Sequence, residues 1–340
     1  MTEPQRASAE TALRSARFRA AREDAWHRLD EMVSRVEKSG VGTLSASESQ
    51  ELPLLYRSAA SSLSVARNIA LDRNLLLYLE NLTLRAYLVV YGPRTGVARN
   101  LAEFLAHGFP AAVRGMRRHL AIAFAVLAAG AIAGYSLVAS DISYYDLLVP
   151  SFLAGGRGPD STADELRKVL FAPWPGFVET FIVFANFLFR HNAMVGIFCF
   201  GLGVALGAPT ILLLAYNGAA LGAFFALHAR AGLAADLAGW VAVHGVTEIL
   251  ALLLCASAGL VISEKILFPG PESRLESLAR HGRVAAGVAS GAVGMFFMAG
   301  VFEGGFRQLI SNTPGRFAFE SATAVFWAAY FIFAGRGKER

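Results

Sequence analysis

Hydrophobic and polar positions divide the chain into a polar N-terminal third and a largely apolar remainder. A helix needs roughly 20 apolar residues to cross a bilayer core of about 30 Å, and runs of this kind recur between residues 119 and 335. The pattern predicts an all-α, polytopic helical membrane bundle. We place about six transmembrane helices at 119–139, 193–207, 209–229, 239–262, 284–303 and 321–335.

One apolar run, residues 193–229, is too long for a single span. At about 1.5 Å per residue it would form a helix of roughly 55 Å. Pro209 removes a helical hydrogen bond and restricts the residue before it, so "GAP" at 207–209 is the predicted hinge. Because 193–207 is short, two alternatives stay open, namely an earlier start or a re-entrant segment. The aromatic stretch 174–192 is either that earlier start or a helix lying in the outer interface.

The first 118 residues are polar and arginine-rich, and they show helical rather than strand periodicity. Three helices are predicted before residue 93, the second opened by a capping box between Ser45 and Glu48. Residues 94–118, with Pro110 near the middle, are predicted to form an elbow helix. No apolar signal-peptide core occurs near the start, so this region is predicted to be a cytoplasmic helical domain. The predicted domains are 1–118, the bundle at 119–335, and a cytoplasmic tail at 336–340.

Composition and charge agree with a membrane protein. Hydrophobic residues make up 55% and charged residues 17% of the chain, and the mean hydropathy is +0.46. With the N-terminus inside, 24 of the 31 lysines and arginines fall in predicted cytoplasmic segments, so both termini are predicted to be cytoplasmic. Two cysteines are too few for a disulfide framework or a cysteine metal site. The basic residues form no nucleic-acid-binding pattern, so a nucleic acid partner is not expected.

A few polar residues interrupt the predicted spans at similar depth. In "VAVHGVTEIL", His244 and Glu248 are four residues apart and therefore share a helix face. A charge at bilayer depth costs about 2.5 to 3.5 kcal/mol on insertion scales, so such side chains should face the bundle interior. We predict one intramembrane polar cluster near the outer surface, formed by Asn192, Asn217, His244, Glu248 and Glu303. Interhelical packing and a proton or ion pathway are both open as its role.

Glycines at helical spacing predict close helix contacts, and the predicted packing positions are Gly203, Gly207, Gly218, Gly222 and Gly245. Evidence for catalysis is weaker. "HGVTE" lacks the second histidine of H-E-x-x-H, and Ser290 does not lie in a G-x-S-x-G turn. We therefore predict no enzyme activity, no metal and no cofactor. Intramembrane hydrolysis is kept as a weaker alternative hypothesis.

Several segments together resemble a known family. They are "FPAAVRGMRRHL" before the first span, "FLFRHNAMVGIFCFGLGVALG", "LLLAYNGAALG", "VAVHGVTEILALLLCASAGL" and "AGVFEGGFRQLISNTP". Their order resembles the stage II sporulation protein M family of bacterial integral membrane proteins, over roughly residues 45 to 335.

The resemblance implies a location in the bacterial cytoplasmic (inner) membrane and a place in an envelope complex. In spore formers the family member acts with a peptidoglycan amidase and a lytic transglycosylase during engulfment. The expected function is a non-enzymatic membrane scaffold for cell-wall or envelope remodelling. Expected partners are the lipid bilayer, other envelope proteins such as peptidoglycan hydrolases, and a second copy of the chain. The alternative is a transporter or channel that uses the Asn/His/Glu cluster.

Overall fold

The computed structural model describes residues 17–68, 73–92, 97–171, 177–306, 310 and 312–336. Within these ranges it contains helices and turns and no β-strand, so the protein is all-α. Two compact units are present, Met1–Asn100 and Leu101–Arg340. The second unit includes most of the predicted elbow. Residues 337–340 of the predicted tail and the aromatic side chains of 174–187 lie outside the description.

The N-terminal unit contains three long helices, α1 (Glu23–Ser39), α2 (Ala46–Asn68) and α3 (Arg73–Tyr91). Apolar residues at three- and four-residue spacing form the core between them, among them Trp26, Leu29, Met32, Leu79 and Leu82. The predicted capping box is confirmed: Glu48 N–H donates to Ser45 Oγ at 3.2 Å, and Ser45 N–H donates to Glu48 Oε2 at 2.9 Å.

An arginine on α3 joins that helix to α1. Arg85 donates to Asp30 at 2.6 Å, to Ser34 at 2.9 Å and to Glu37 at 2.7 Å. The hydrogen bond from Arg85 lowers the pKa of Glu37, because it stabilises the ionised carboxylate. Charge-assisted bonds from one planar guanidinium to several partners fix the relative position of the two helices better than an isolated ion pair does.

Six long helices dominate the second unit. They are preceded by α4 (Val97–Glu103), a π-helical turn (Phe104–Gly108) and α5 (Phe109–Gly115). Between the first two long helices lie the short helices α7 (Tyr144–Leu148), α8 (Ser151–Ala154) and α9 (Ala163–Phe171). The long helices are α6 (Arg117–Ser140), α10 (Phe177–Gly201), α11 (Ala208–Arg230), α12 (Ala234–Leu267), α13 (Arg274–Val301) and α14 (Thr313–Phe333).

Four of these are long and apolar enough to cross a membrane: α6, α11, α12 and α13. A further apolar stretch of helix, Phe189–Ala205, is shorter. Helix α14 carries Arg316 and Glu320 in its first two turns, which lowers its apolar character. The described residues therefore contain four helices suited to span a membrane by length and composition.

Several predicted boundaries were wrong. The segment 193–207 is not one helix: α10 ends at Gly201, a 3₁₀ turn covers Leu202–Ala205, and Leu206 and Gly207 have φ of 60° and 80°. Helix α10 also begins at Phe177, so the aromatic stretch continues into it without a break rather than forming a separate helix. The left-handed conformation at residue 207 suits glycine, and Pro209 then fits the first turn of α11, where its missing N–H has no partner to lose.

Other helices are longer than the apolar runs from which the spans were predicted. Helix α12 extends five residues beyond 239–262 in each direction and carries Glu264 and Lys265 near its C-terminus, charged residues that a hydropathy criterion excludes. Helix α13 starts at Arg274, where Ser273 and Glu276 form a capping box. Helix α14 starts at Thr313 rather than 321, because the Asn312 side chain caps it by accepting the Gly315 N–H at 2.7 Å.

Glycines place α6 and α11 in backbone contact. A Cβ added at Gly222 would collide with the carbonyl oxygen of Ala131, and one at Gly218 with that of Leu127. On the facing helix, Gly134 meets Ala219 in the same way. Contacts of this kind let two helices approach until only glycine fits between them. The α6–α11 pair is therefore locked by backbone packing.

The other predicted packing glycines have different surroundings. Gly203 lies against the backbone of Gly259 in α12, where a Cβ would collide with its carbonyl oxygen. At Gly207 an added Cβ would lie 2.8 Å from Ser263 Oγ. Gly245 differs, since its nearest neighbour is the side chain of Val241 in its own helix. Thus α12 contacts the α10–α11 connection closely, whereas Gly245 mediates no such helix contact.

Helix α12 lies at the centre of the bundle. In its most apolar window 72% of the residues are buried, against 28% to 44% for the other three candidate spans. It packs against α10, α13 and α14 through a core that includes Cys255, Phe296 and Trp327. The Trp327 indole N–H donates to Thr247 Oγ1 at 2.9 Å, one residue before Glu248. The centre of the bundle thus positions the residues described next.

Candidate functional site

Two carboxylates and an imidazole meet beside α12. One ligand atom from each of His244, Glu248 and Glu303 lies within 4.8 Å of the other two. His244 Nε2 is 3.5 Å from Glu303 Oε2, and these two side chains are only 8% and 3% exposed. Glu248, one turn farther along α12, is partly exposed. We refer to these three residues as the His–Glu–Glu centre.

Glu303 reaches this centre from a π-helical turn, Phe302–Phe306, that follows α13. A π turn widens the helix by one residue and redirects the side chains after it, and such turns are frequent at functional sites. The stretch "FEGGF" places two glycines directly after the carboxylate. The local sequence therefore supports an inward-facing carboxylate at residue 303.

Asn192 supports the centre from a third helix. It lies in α10, and its side-chain amide interacts with the Glu248 carboxylate of α12. An amide N–H is a donor suited to orient a carboxylate oxygen. The structure therefore brings together Asn192, His244, Glu248 and Glu303 from the predicted cluster.

Asn217 does not contact the centre among the described residues. Its side-chain Nδ2 donates to the carbonyl oxygen of Leu213 at 2.8 Å, one turn earlier in α11. This bond satisfies the amide within its own helix. A shared depth in the membrane could be predicted from the sequence, but the direction of the Asn217 side chain could not.

A half-buried arginine that sequence reasoning missed lies beside the centre. The Arg157 guanidinium carbon lies 4.6 Å from the ring centre of Phe224 and 5.5 Å from that of Trp240, and its Nε donates to Ala154 O at 2.8 Å. Burial lowers the pKa of Arg157, while the charges of Tyr145 and Glu303 act in the opposite direction. Trp240 in turn packs edge-on against His244, with ring centres 5.6 Å apart. Arg157, Phe224 and Trp240 form what we call the arginine cap.

A second histidine–glutamate pair occurs at the other end of α12. His119 Nε2 and Glu264 Oε2 are 2.7 Å apart, a normal hydrogen-bond distance, and Lys265 also binds Glu264 at 2.6 Å. Among the described residues only the His–Glu–Glu centre groups three side chains with the spacing of metal ligands. Chemically it offers one imidazole nitrogen and two carboxylates, which can hold a proton or a cation.

Family models match two parts of the chain. Residues 121–306, more than half of the protein and including the whole centre, match the model described as Stage II sporulation protein M. Residues 16–92 match a separate model, described as Domain of unknown function (DUF8413). The match thus starts later than the resemblance predicted from residue 45. Neither the curated proteins nor the solved structures give a match.

Proposed function

Because the chain belongs to the stage II sporulation protein M family, we propose that it is a multi-pass membrane scaffold of a bacterial envelope-remodelling complex. Family membership suggests a sporulation-related membrane protein. The proposal adds a location in the cytoplasmic membrane, about six spans, cytoplasmic termini and a non-enzymatic role in holding partner proteins together.

Contacts at the helix ends support the proposed topology. Residues assigned to the cytoplasmic side meet each other: His119 bonds Glu264, and Arg114 donates to the carbonyl oxygens of Phe331 and Ala334 at 3.1 and 2.8 Å. Residues assigned to the outer side also meet, since Thr313 Oγ1 donates to Asp236 at 3.2 Å and Arg167 to the same carboxylate at 3.4 Å. A chain that crosses the membrane six times in alternating directions would place these two groups of residues at opposite faces of the membrane. The excess of lysine and arginine inside points the same way.

The observation that carries the scaffold proposal is the backbone-to-backbone packing at glycines. Helix α6 contacts α11 at Gly218 and Gly222, and the α10–α11 connection contacts α12 at Gly203. Transporters of alternating-access type need one group of helices to rock against another around the binding site. Helices locked by carbonyl contacts at several glycines resist that motion. A bundle whose helices are fixed against one another in this way suits a scaffold.

A pulldown tests the scaffold proposal. The full chain, solubilised in mild detergent from its host, is expected to retain peptidoglycan hydrolases that an equally tagged, unrelated membrane protein does not retain. Deletion of residues 1–92 or of 141–162 should reduce this recovery while the protein still elutes as a single folded species. Absence of any enriched envelope protein would contradict the proposal.

Reconstitution into liposomes tests the transport alternative in the same material. We expect no proton or ion flux above that of empty liposomes. Flux that Glu248→Gln abolishes, and that the matched variant Glu264→Gln preserves, would instead establish a transporter.

A further inference from the structure

We infer that the His–Glu–Glu centre binds one divalent transition-metal ion, of which zinc is the prime example, through His244, Glu248 and Glu303. This inference is independent of the scaffold proposal, since a scaffold can bind a structural metal or none. Three donors on two helices are brought together by the fold, and the sequence shows only two of them on one helix.

The spacing of the donors fits metal coordination better than a direct hydrogen bond. Two ligands about 2.1 Å from a zinc ion in tetrahedral geometry are roughly 3.4 Å apart. The 3.5 Å between His244 Nε2 and Glu303 Oε2 matches that edge and exceeds the usual N–H···O range of about 2.7 to 3.2 Å. By contrast, the His119–Glu264 pair closes to 2.7 Å. The same residue types therefore adopt two different spacings in one protein.

The third donor completes the set with a small movement. All three ligand atoms lie within 4.8 Å of one another, so a shift of at most about 1.4 Å would bring the widest pair to a tetrahedral edge. Glu248 is the partly exposed member and has the side-chain torsions to make this movement. Its interaction with the Asn192 amide is the kind of outer contact that orients a ligating carboxylate. Three protein ligands leave one coordination position for water or another ligand.

The donor types and the neighbouring charge limit which cations fit. Imidazole suits zinc, iron, nickel and copper ions, whereas magnesium and calcium prefer oxygen donors alone. Arg157 acts electrostatically on Glu303 and therefore opposes any cation. A monovalent ion gains too little from three donors to overcome that charge, but a transition-metal dication forms strong bonds to each donor. The centre is thus suited to the zinc class of ions.

Metal analysis of the full chain tests the inference. The protein carries a tag without histidine, is stripped with a chelator, and is then equilibrated with Zn²⁺ or with Co²⁺ as a spectroscopic probe. We expect about one metal ion per chain and the intense visible absorption of four- or five-coordinate Co²⁺. Failure of the wild-type protein to bind either ion, or a Co²⁺ spectrum identical to that of the free aqueous ion, would overturn the inference.

Variants assign the bound ion to these residues. His244→Ala, Glu248→Gln and Glu303→Gln should each remove the Co²⁺ absorption, and Asn192→Ala should weaken affinity about 10- to 100-fold as an outer contact does. The matched control is Glu264→Gln, which changes a glutamate paired with a histidine at the other end of α12 and should leave binding unchanged. Binding that survives in all three centre variants would place the ion elsewhere and overturn the inference.

Misfolding is separated from ligand loss by thermal stability. In the absence of metal, a folded Glu303→Gln protein is expected to melt as cooperatively as the stripped wild-type protein. Zn²⁺ should then raise the melting temperature of the wild-type and Glu264→Gln proteins but not that of Glu303→Gln, because only a site in the folded state stabilises it. An equal rise in all three proteins would contradict the assignment.

Discussion

Replacement of Gly222 by valine is expected to destabilise the bundle by at least about 3 kcal/mol, the upper end of overpacking costs. A Cβ at this position would collide with the carbonyl oxygen of Ala131 in α6, and backbone cannot turn aside as a side chain can. For a unit of this size the loss corresponds to a fall in melting temperature of roughly 6 to 12 °C. Scanning fluorimetry and size-exclusion chromatography of the detergent-solubilised protein measure it.

Gly294→Val is the control for this substitution. Gly294 lies on α13, and an added Cβ there meets no atom within 4 Å. We expect a melting temperature equal to that of the wild-type protein or slightly higher, since valine has a modestly better helix propensity than glycine. If Gly222→Val and Gly294→Val are equally stable, α6 and α11 do not pack as described.

Arg157→Met is expected to cost about 2 to 4 kcal/mol. A desolvated guanidinium over an aromatic ring contributes about 2 kcal/mol, and Arg157 lies over both Phe224 and Trp240. The substitution also removes the donor to Ala154 O, worth about 1 kcal/mol net. Because the cap holds segment 141–162 on α11 and α12, limited proteolysis should show faster cleavage within that segment.

Arg167→Met is the matched control for the cap. Arg167 lies on α9, its side chain is 62% exposed, and it reaches Asp236 at 3.4 Å. Exposed ion pairs contribute about 0 to 1 kcal/mol, so stability and proteolysis should scarcely change. Equal sensitivity of the two variants would mean that Arg157 contributes as a surface charge rather than through its ring contacts.

Much of the fold follows from hydrophobic patterning. Long apolar runs predicted the central parts of α6, α11, α12 and α13, because burial and lipid contact both require continuous hydrocarbon. The ends of the helices escaped prediction. Helix α12 carries Glu264 and Lys265, which pair with each other, near its C-terminus, and α14 opens with a capped polar turn. A hydropathy profile detects the residues that lie in the hydrocarbon core of the membrane. It does not detect the hydrogen bonds that extend a helix beyond that core.

The site was partly predictable for a similar reason. Ionisable residues inside apolar segments are costly, so His244, Glu248 and Glu303 stand out by type alone. Which of the polar residues meet depends on helix rotation and on the π turn at Phe302–Phe306, and one sequence does not reveal either. Asn217 was predicted to join the cluster because it lies at a similar depth in the membrane. Its amide instead forms a hydrogen bond within α11, so depth alone did not identify its partner.

Arg157 and the His119–Glu264 pair were missed for two different reasons. Arg157 lies in "GGRGP" between predicted spans, where an arginine reads as a solvated loop residue. A lone arginine in a glycine-rich loop next to aromatic-rich helices was the available signal. His119 and Glu264 are 145 positions apart, so only the packing of α6 on α12 reveals their contact.

The proposed orientation places the arginine cap and the His–Glu–Glu centre toward the extracytoplasmic face of the membrane. Labelling of single cysteines with a membrane-impermeant maleimide tests this orientation. Cys199 and Cys255 are fully buried and can be replaced by alanine as background. Leu147 and Phe268 are 74% and 72% exposed, so they provide matched positions at the two proposed sides of the membrane.

In intact bacterial cells the maleimide is expected to label Leu147→Cys at once and Phe268→Cys only after the membrane is permeabilised. Labelling of Phe268→Cys in intact cells, with Leu147→Cys protected until permeabilisation, would contradict the proposed orientation and place the centre at the cytoplasmic face.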